Sequence, residues 1–283
     1  MQQNDFTIRV MTRQDLELAL EWAAAEGWNP GWHDADSFLL ADPRGFLVGL
    51  VGDEPVATIS VVRYGETFGF LGLYIVKPGY RGQGYGLQIW NAGLAHLHGR
   101  TIGLDGVVAQ QENYRKSGFV LAYRNCRYEG IGGGQIPEDS AIVPLASLSL
   151  DQIHQYDSPL FPDIRTEFLQ GWIRQPRGTA LGILRNRSLA GYGVLRACRV
   201  GYKIGPLFAD SPELAERLLL AFKARVPEGV PCFLDAPTIN TAAVELMDRH
   251  HMRAVFETAR MYQGEIPSTP LHRVFGVTTF ELG

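Results

Sequence analysis

"YIVKPGYRGQGYGLQIW", residues 74–90, joins an apolar β-branched run to the start of a helical pattern and sets four glycines, Gly79, Gly82, Gly84 and Gly86, into eight positions between them. Glycine in such a turn costs backbone entropy and leaves a gap in the side-chain surface. The compensating gain would be close approach of bare backbone N–H groups to an anion, at the positive end of the helix that follows. A dinucleotide fingerprint needs GxGxxG, whereas Gly82, Gly84 and Gly86 are spaced GxGxG after a strand that reads as antiparallel. A purely structural turn is the other reading of the loop.

The chain around the loop has 283 residues with 46% hydrophobic and 20% charged content, enough for two domains with full cores, and five Trp, 11 Tyr and 14 Phe argue against disorder. A net charge of −4 without any basic run offers no footprint for nucleic acid and mildly favours a neutral or cationic substrate. No apolar segment approaches membrane-spanning length and "MQQNDFTIRV" lacks a basic-then-apolar signal pattern, so no membrane association is expected and the expected compartment is the cytoplasm. Cys126, Cys198 and Cys232 make no CxxC pair and read as buried thiols. His250 and His251 are adjacent, hence splayed apart on a helix, and no HxxxH or HExxH spacing appears, so no metal is expected. GxSxG and Walker patterns are absent.

Periodicity predicts a helix over 11–28, opened by Thr12 and Asp15 at capping-box spacing with Leu16, Leu20 and Ala23 on one face, and a short helix over 34–42. Strands follow at 45–52, 54–65 and 68–76, separated by "GDEP" and "YGET". After the glycine loop come an amphipathic helix over 86–99 with Leu87, Trp90, Leu94 and Leu97 on one face, a strand at 101–109, a short helix at 110–118 and a strand at 119–130. "IGGGQIPEDSA", residues 131–141, is the linker, and beyond it the pattern recurs. "SLAGYGVLRA" lies on "EPVATISVVRY", "YKIGPLFADSPELAERLLLAF" on "FLGLYIVKPGYRGQGYGLQIW", and "NTAAVELMDRHHMRAVFETARMYQG" on "QQENYRKSGFVLAYRNCRYEG". Two diverged copies of one α/β (α+β) fold is the expected architecture, with domains at 1–135 and 136–283. In the second copy the glycine turn is replaced by "ADSPELAE", an ordinary helix start with Ser211 as N-cap and Pro212 at the first position. Glycines confined to one copy point to a ligand there.

The loop resembles the acetyl-CoA motif R/Q-x-x-G-x-G/A of the GNAT superfamily of N-acetyltransferases, met by Arg81, Gly84 and Gly86 after a Val-x-Pro at the strand end. The resemblance is strong over residues 5–130, and the whole chain is similar to bacterial proteins in which a GNAT domain precedes a degenerate GNAT-like one. It implies tandem domains, each a mixed, mostly antiparallel sheet flanked by helices. It implies acetyl-CoA as co-substrate, with the pyrophosphate held by backbone amides of Arg81, Gly82, Gln83, Gly84, Tyr85 and Gly86. Tyr74, Ile75 and Val76 would pair with the pantetheine arm. Tyr114, four residues before Gly118-Phe119 as in the family's Y-x-x-x-G-F signature, is the implied general acid; a core tyrosine is the alternative. The asparagine often found seven residues before that tyrosine is Val107 here, while the second copy keeps Asn240; Asn113 could take over a cofactor contact, or serve as a cap.

Acyl transfer to an amine needs an unprotonated amine, a stabilised oxyanion and a proton for the departing thiolate. A phenol with an ordinary pKa near 10 can supply that proton. For the base, Asp105 at a strand end is one candidate and Glu66 in the preceding turn another, with water-mediated deprotonation as a third route. Trp28 and Asn29 fall where GNAT folds commonly wall the acceptor site, and Tyr128 could face the same cleft or the domain interface. The reading is an N-acetyltransferase acting on a primary amine by direct attack in a ternary complex, in a monomer or homodimer; the alternative is a non-catalytic acyl-CoA sensor.

Overall fold

In the computed structural model, which describes residues 6–283, the chain enters along strand β1 (Phe6–Val10) and turns into helix α1 (Arg13–Ala25). Met1–Asp5, part of the stretch read for a signal pattern and counted in the first domain, lie outside the described residues. The capping box forms as the sequence predicts: Thr12 N donates to Asp15 Oδ2 (2.7 Å) and Asp15 N to Thr12 Oγ1 (3.2 Å). The first copy continues through α2 (Asp34–Ala41), β2 (Phe46–Val51), β3 (Glu54–Tyr64), β4 (Phe68–Val76), α3 (Tyr85–His96), β5 (Thr101–Val107), α4 (Gln111–Lys116) and β6 (Val120–Ile131). The second repeats it as β7 (Ile142–Pro144), α5 (Leu150–Asp157), α6 (Thr166–Trp172), β8 (Thr179–Arg185), β9 (Ser188–Ala197), β10 (Tyr202–Ala209), α7 (Pro212–Lys223), β11 (Pro231–Pro237), α8 (Thr241–Arg249) and β12 (Arg253–Gln263), and a last strand, β13 (Val274–Gly276), has no counterpart among the described residues of the first. Periodicity missed β1, β7, β8, β11, β13, α5 and α6. The amphipathic face expected of α3 is corrected at one position: Leu87 is 63% exposed, whereas Trp90 and Leu97 are buried.

Two copies would ordinarily make two sheets. Here the strands join in one 13-stranded sheet ordered β1-β2-β3-β4-β5-β12-β6-β11-β10-β9-β8-β7, with β13 on β10. The last strand of each copy is exchanged. β12 pairs with β5 of the first copy, Thr258 opposite Val107 through Gln263 opposite Ile102, while β6 pairs with β11 of the second, Asn125 opposite Pro237 through Ile131 opposite Pro231. β6 and β12 also pair with each other, which closes the exchange at the centre of the sheet. The division at residue 135 therefore follows the chain but not the sheet, and removal of the second half would strip β5 of one of its two neighbours, β12.

Buried charge locks this centre. Arg127 on β6 makes a two-pronged bond to Asp235 on β11 (2.7 Å each), and its third nitrogen donates to the Trp28 carbonyl (2.7 Å). Arg260 on β12 grips Asp105 on β5 in the same way (2.9 and 2.5 Å). Arg196 on β9 bonds both oxygens of Asp34 on α2 (2.6 Å each) and lies over the Trp172 ring (4.2 Å to its centroid). Paired guanidinium and carboxylate groups of this kind do little to raise stability over an apolar core, yet losing one partner leaves an uncompensated buried charge. Among the described residues no helix is long and apolar enough to cross a membrane.

Arg127→Ala is expected to lower the unfolding free energy by about 3–5 kcal/mol, and both copies should unfold together because they share the sheet. Chemical denaturation followed by tryptophan fluorescence checks this; two separate transitions in the wild type would contradict the shared sheet.

Candidate active site

The site begins with a fault in β4. Parallel pairing with β5 runs from Phe68 opposite Thr101 to Leu71 opposite Leu104 and stops there. Beyond it the β3–β4 register shifts between Thr58 and Ser60, Leu73 adopts a positive φ of 45°, and Thr58 Oγ1 donates to the Leu73 carbonyl (2.8 Å). A bulge of this kind bends the strand away from its neighbour. The ends of β4 and β5 splay, and a cavity of about 580 Å³ opens between them.

One mouth of the cavity is the glycine loop. Gly82 and Gly84 have φ of +77° and +86°, and a Cβ on either would meet nothing within 4 Å, so conformation and not crowding demands glycine there. Gly84 caps α3, whose first internal hydrogen bond runs from Gln88 N to the Gly84 carbonyl (3.2 Å). The amides of Tyr85, Gly86 and Leu87 have no helical carbonyl to pair with, and with the helix dipole they make an anion cradle. Gly86 has a second reason: a Cβ there would come 2.7 Å from Tyr74 Oη. Arg81 pins the loop by donating to the Val76 carbonyl (2.8 Å) and to Glu26 Oε1 (2.5 Å).

Tyr114 stands on the wall, stacked on Trp90 (5.7 Å between centroids, 22°) and pressed against Gly106, where a Cβ would run into its ring. Burial, with a smaller contribution from Tyr74, pushes the Tyr114 phenol up to about 12, so it keeps its proton at physiological pH. Asp105 also lines the cavity, but Arg260 holds both its oxygens and Asn125 Nδ2 donates to Oδ1 (2.7 Å). Burial pushes the Asp105 carboxyl up, against the pull of Arg260. With no free oxygen toward the cavity, Asp105 joins strands.

Of the residues singled out in the sequence, Trp28, Tyr74, Ile75, Val76, Arg81, Gly82, Gly84, Gly86, Asp105 and Tyr114 meet around the cavity. Gln83 bonds the Gly79 carbonyl (3.0 Å), and the Tyr85 ring packs on Phe6 (4.8 Å between centroids). Asn113 bonds Gln110 (2.7 Å). Asn29 turns away to the β9–β10 hairpin, donating to the Val200 carbonyl (3.0 Å) and accepting from Val200 N (2.9 Å). Glu66 is exposed in the β3–β4 turn, and Tyr128 is buried in the core of the second copy. Sequence reasoning missed the wall supplied by the second copy, Phe256, Thr258, Phe280 and Glu281. Phe256 and Phe280 rest on the Arg127 guanidinium (5.7 and 5.1 Å to the ring centroids).

The segment carrying Phe280 passes through the second copy first. There the parallel pairs of β10 and β11 stop at Ile204 opposite Leu234, as β4 and β5 stop at Leu71. The opening is filled by β13, which pairs Gly276 with Leu207 and Val274 with Phe208, and Val277 N donates to the Asp235 carbonyl (2.8 Å). Asn240 caps α8 and donates to the Val274 carbonyl (2.9 Å), and Arg273 pairs with Asp210 (2.7 Å). The chain then crosses to the first copy, where Ser60 Oγ donates to the Glu281 carbonyl (3.3 Å) and Gly72 leaves room for that oxygen.

Residues 12–119 match the family described as "Acetyltransferase (GNAT) family" and residues 153–276 match the "Acetyltransferase (GNAT) domain". A curated relative, the holothin acyltransferase of a Pseudoalteromonas species, is 31% identical over 98% of this chain and 95% of its own. The crystal structure of a putative acetyltransferase from Pyrococcus horikoshii superposes with a TM-score of 0.83 at 26% identity, over 100% of this chain and 97% of that one. A tandem GNAT protein from the clavulanic acid biosynthesis pathway shares the fold, with a TM-score of 0.63 at 14% identity over 93% of this chain and all (100%) of that one. The chain belongs to the GNAT superfamily of acetyltransferases and has tandem GNAT domains, each with a mixed, mostly antiparallel sheet flanked by helices. The chemistry of that family is acetyl transfer from acetyl-CoA. Among the described residues no group of His, Cys, Asp and Glu is arranged to hold a metal.

Gly84→Val would force a β-branched residue to φ +86° and cover the cradle amides. Coenzyme A affinity should fall at least about tenfold, from loss of a charge-assisted bond of roughly 1.5–3 kcal/mol, with the fold retained. Isothermal calorimetry against a circular dichroism melt checks both; unchanged affinity would remove the loop from the site.

Proposed function

We propose that this protein is an N-acetyltransferase with one active site, in the cleft between β4 and β5, that acetylates a compact primary amine by direct attack within a ternary complex. The observation that carries the reading is the contrast between the two clefts. The first is open, ends on two left-handed glycines at a helix N-terminus and carries Tyr114 on its wall. The second is filled by β13, begins its helix with Ser211 and Pro212, and has buried Met247 in the place of the tyrosine.

Acetyl-CoA, when bound, supplies a thioester carbonyl carbon open to attack and a thiolate leaving group. Amides of residues 81–86 hold its phosphates, and main-chain groups of Tyr74, Ile75 and Val76 hold the arm that follows. Tyr114 delivers a proton to the sulfur; stacking on Trp90 fixes its ring, and burial keeps it protonated. The amine enters from the opposite side, along Trp28, Phe256 and Phe280. The name of the relative supports a small acceptor, since that protein acts as an acyltransferase on holothin. So does the modest cavity, which two substrates must share.

Tyr114→Phe should lower kcat by about 10²-fold or more with little change in coenzyme A affinity. Only the protonated phenol works as an acid, and its pKa is raised to about 12, so Tyr114 should add no fall in kcat on the alkaline side up to pH 10. Thiol release from acetyl-CoA with a panel of primary amines checks both statements. A mutant as fast as the wild type would return Tyr114 to the core, and a wild type that binds acetyl-CoA yet acetylates no amine would favour the sensor.

A further inference from the structure

Direct attack requires that an amine, protonated in water, lose a proton inside the cavity, and a wall carboxylate with a free oxygen is the group suited to take it. Glu26 is paired with Arg81 and opens to solvent. Asp105 is taken up by Arg260 and Asn125. Glu281 differs. It lines the cavity, is 3% exposed, and has only one oxygen satisfied: Thr279 Oγ1 donates to Oε2, while Oε1 is shut from solvent without a hydrogen-bond partner. A buried carboxylate oxygen left without a donor is costly, and in a residue that lines a cavity the missing donor can come from a molecule bound there.

We propose that Glu281, carried from the second copy into the first copy's cleft, binds the ammonium of the acceptor and takes its proton as the general base. The inference rests on the acetyltransferase reading above and adds the group that prepares the nucleophile. In the transfer, the ammonium gives one proton to Glu281 Oε1. The freed lone pair forms the C–N bond to the acetyl carbon as the C–S bond breaks. The nitrogen's second surplus proton restores the Tyr114 phenol that has given its own proton to the thiolate sulfur, and the Glu281 proton passes to solvent.

The surroundings suit an anion at this place. Glu281 acts electrostatically on Arg127, Arg196 and Lys203. Asp235 answers Arg127 and lies 4.0 Å from the Lys203 ammonium, and Asp34 answers Arg196. The remaining groups nearby are the Cys198 thiol within this cluster, and Glu26–Arg81, Asp105–Arg260 and Tyr114 around the cavity. Three basic side chains, Arg127, Arg196 and Lys203, thus share this cluster with Asp34, Asp235 and Glu281. Phe256 and Phe280 on the Arg127 guanidinium form an apolar wall beside it. A primary amine on a flat ring fits this combination: the ring against the phenylalanines, the nitrogen at Oε1.

The test compares wild type, Glu281→Gln and Glu281→Asp with acetyl-CoA and benzylamine, 2-phenylethylamine or putrescine as probes. Expected for Glu281→Gln is a loss of about 10²-fold in kcat/KM for the ring amines at pH 7, with acetyl-CoA affinity unchanged. Its rate should rise tenfold per pH unit up to the amine's own pKa, because only amine already neutral in solution can react. Glu281→Asp should keep the wild-type profile at a lower rate. A glutamine variant with wild-type rates, or one whose loss leaves the shape of the pH profile unaltered, overturns the assignment. Should the wild type release no thiol with any probe, the acetyltransferase reading fails first, and calorimetric binding of benzylamine decides Glu281 separately. Binding at least tenfold weaker in Glu281→Gln sustains its role as ammonium receptor, and equal binding removes it.

Discussion

The exchange of the last strand between the two copies is the constraint on which the rest of the molecule depends. β12 lies between β5 and β6, so the strand edge facing the first copy's cleft is completed by residues more than a hundred positions downstream. An unpaired β5 would present a row of open amides and carbonyls. Exchange closes that edge and carries Phe256 and Thr258 to the cavity in the same step. Arg127–Asp235 and Arg260–Asp105 hold the register, since a slip of one residue would turn each guanidinium to the opposite face.

The two copies solve one geometric problem in different ways. Each bends its fourth strand away from the fifth and so opens a wedge of unpaired backbone. In the first, the wedge ends in glycines that free the amides around a helix start. In the second, a segment of the chain itself supplies the missing strand, fastened by Asn240 to the Val274 carbonyl and by Asp210 to Arg273. A gap filled by covalently attached backbone is occupied at high effective concentration, and a free ligand competes poorly for it. The same segment then delivers Phe280 and Glu281 to the first wedge, so filling one cleft and furnishing the other are a single structural act.

Much of this was legible locally. Thr12 and Asp15 announce a helix start three residues apart, and the glycines at 82 and 84 announce left-handed backbone whatever the rest of the chain does. Tyr114 is singled out by its distance to Gly118-Phe119, a relation contained in one short helix and its exit, and the structure sets it on the cavity wall. The repeat shows through the matched blocks, and Asn240 stands out in the second copy, although neither its cap nor its grip on β13 does. What stayed hidden depends on long-range partners. Asp105 looks like a free carboxylate at a strand end until Arg260, 155 residues away, takes it up. Asn29 looks like an acceptor wall until the β9–β10 hairpin arrives. Nothing near Glu281 hints at a cavity, because the contact that seats it is with Ser60 and Gly72 across the whole fold. Strand exchange has no period and no motif.

The central claim is that one cleft is open to acetyl-CoA and the other is filled. Hydrogen–deuterium exchange of the full chain, with and without coenzyme A, tests it most directly. The account predicts new protection at residues 71–76 and 81–87, with none at 207–214 or 274–277, where β13 already occupies the wedge. Protection appearing in the second set, or loss of protection in β13 as it is displaced, would contradict it.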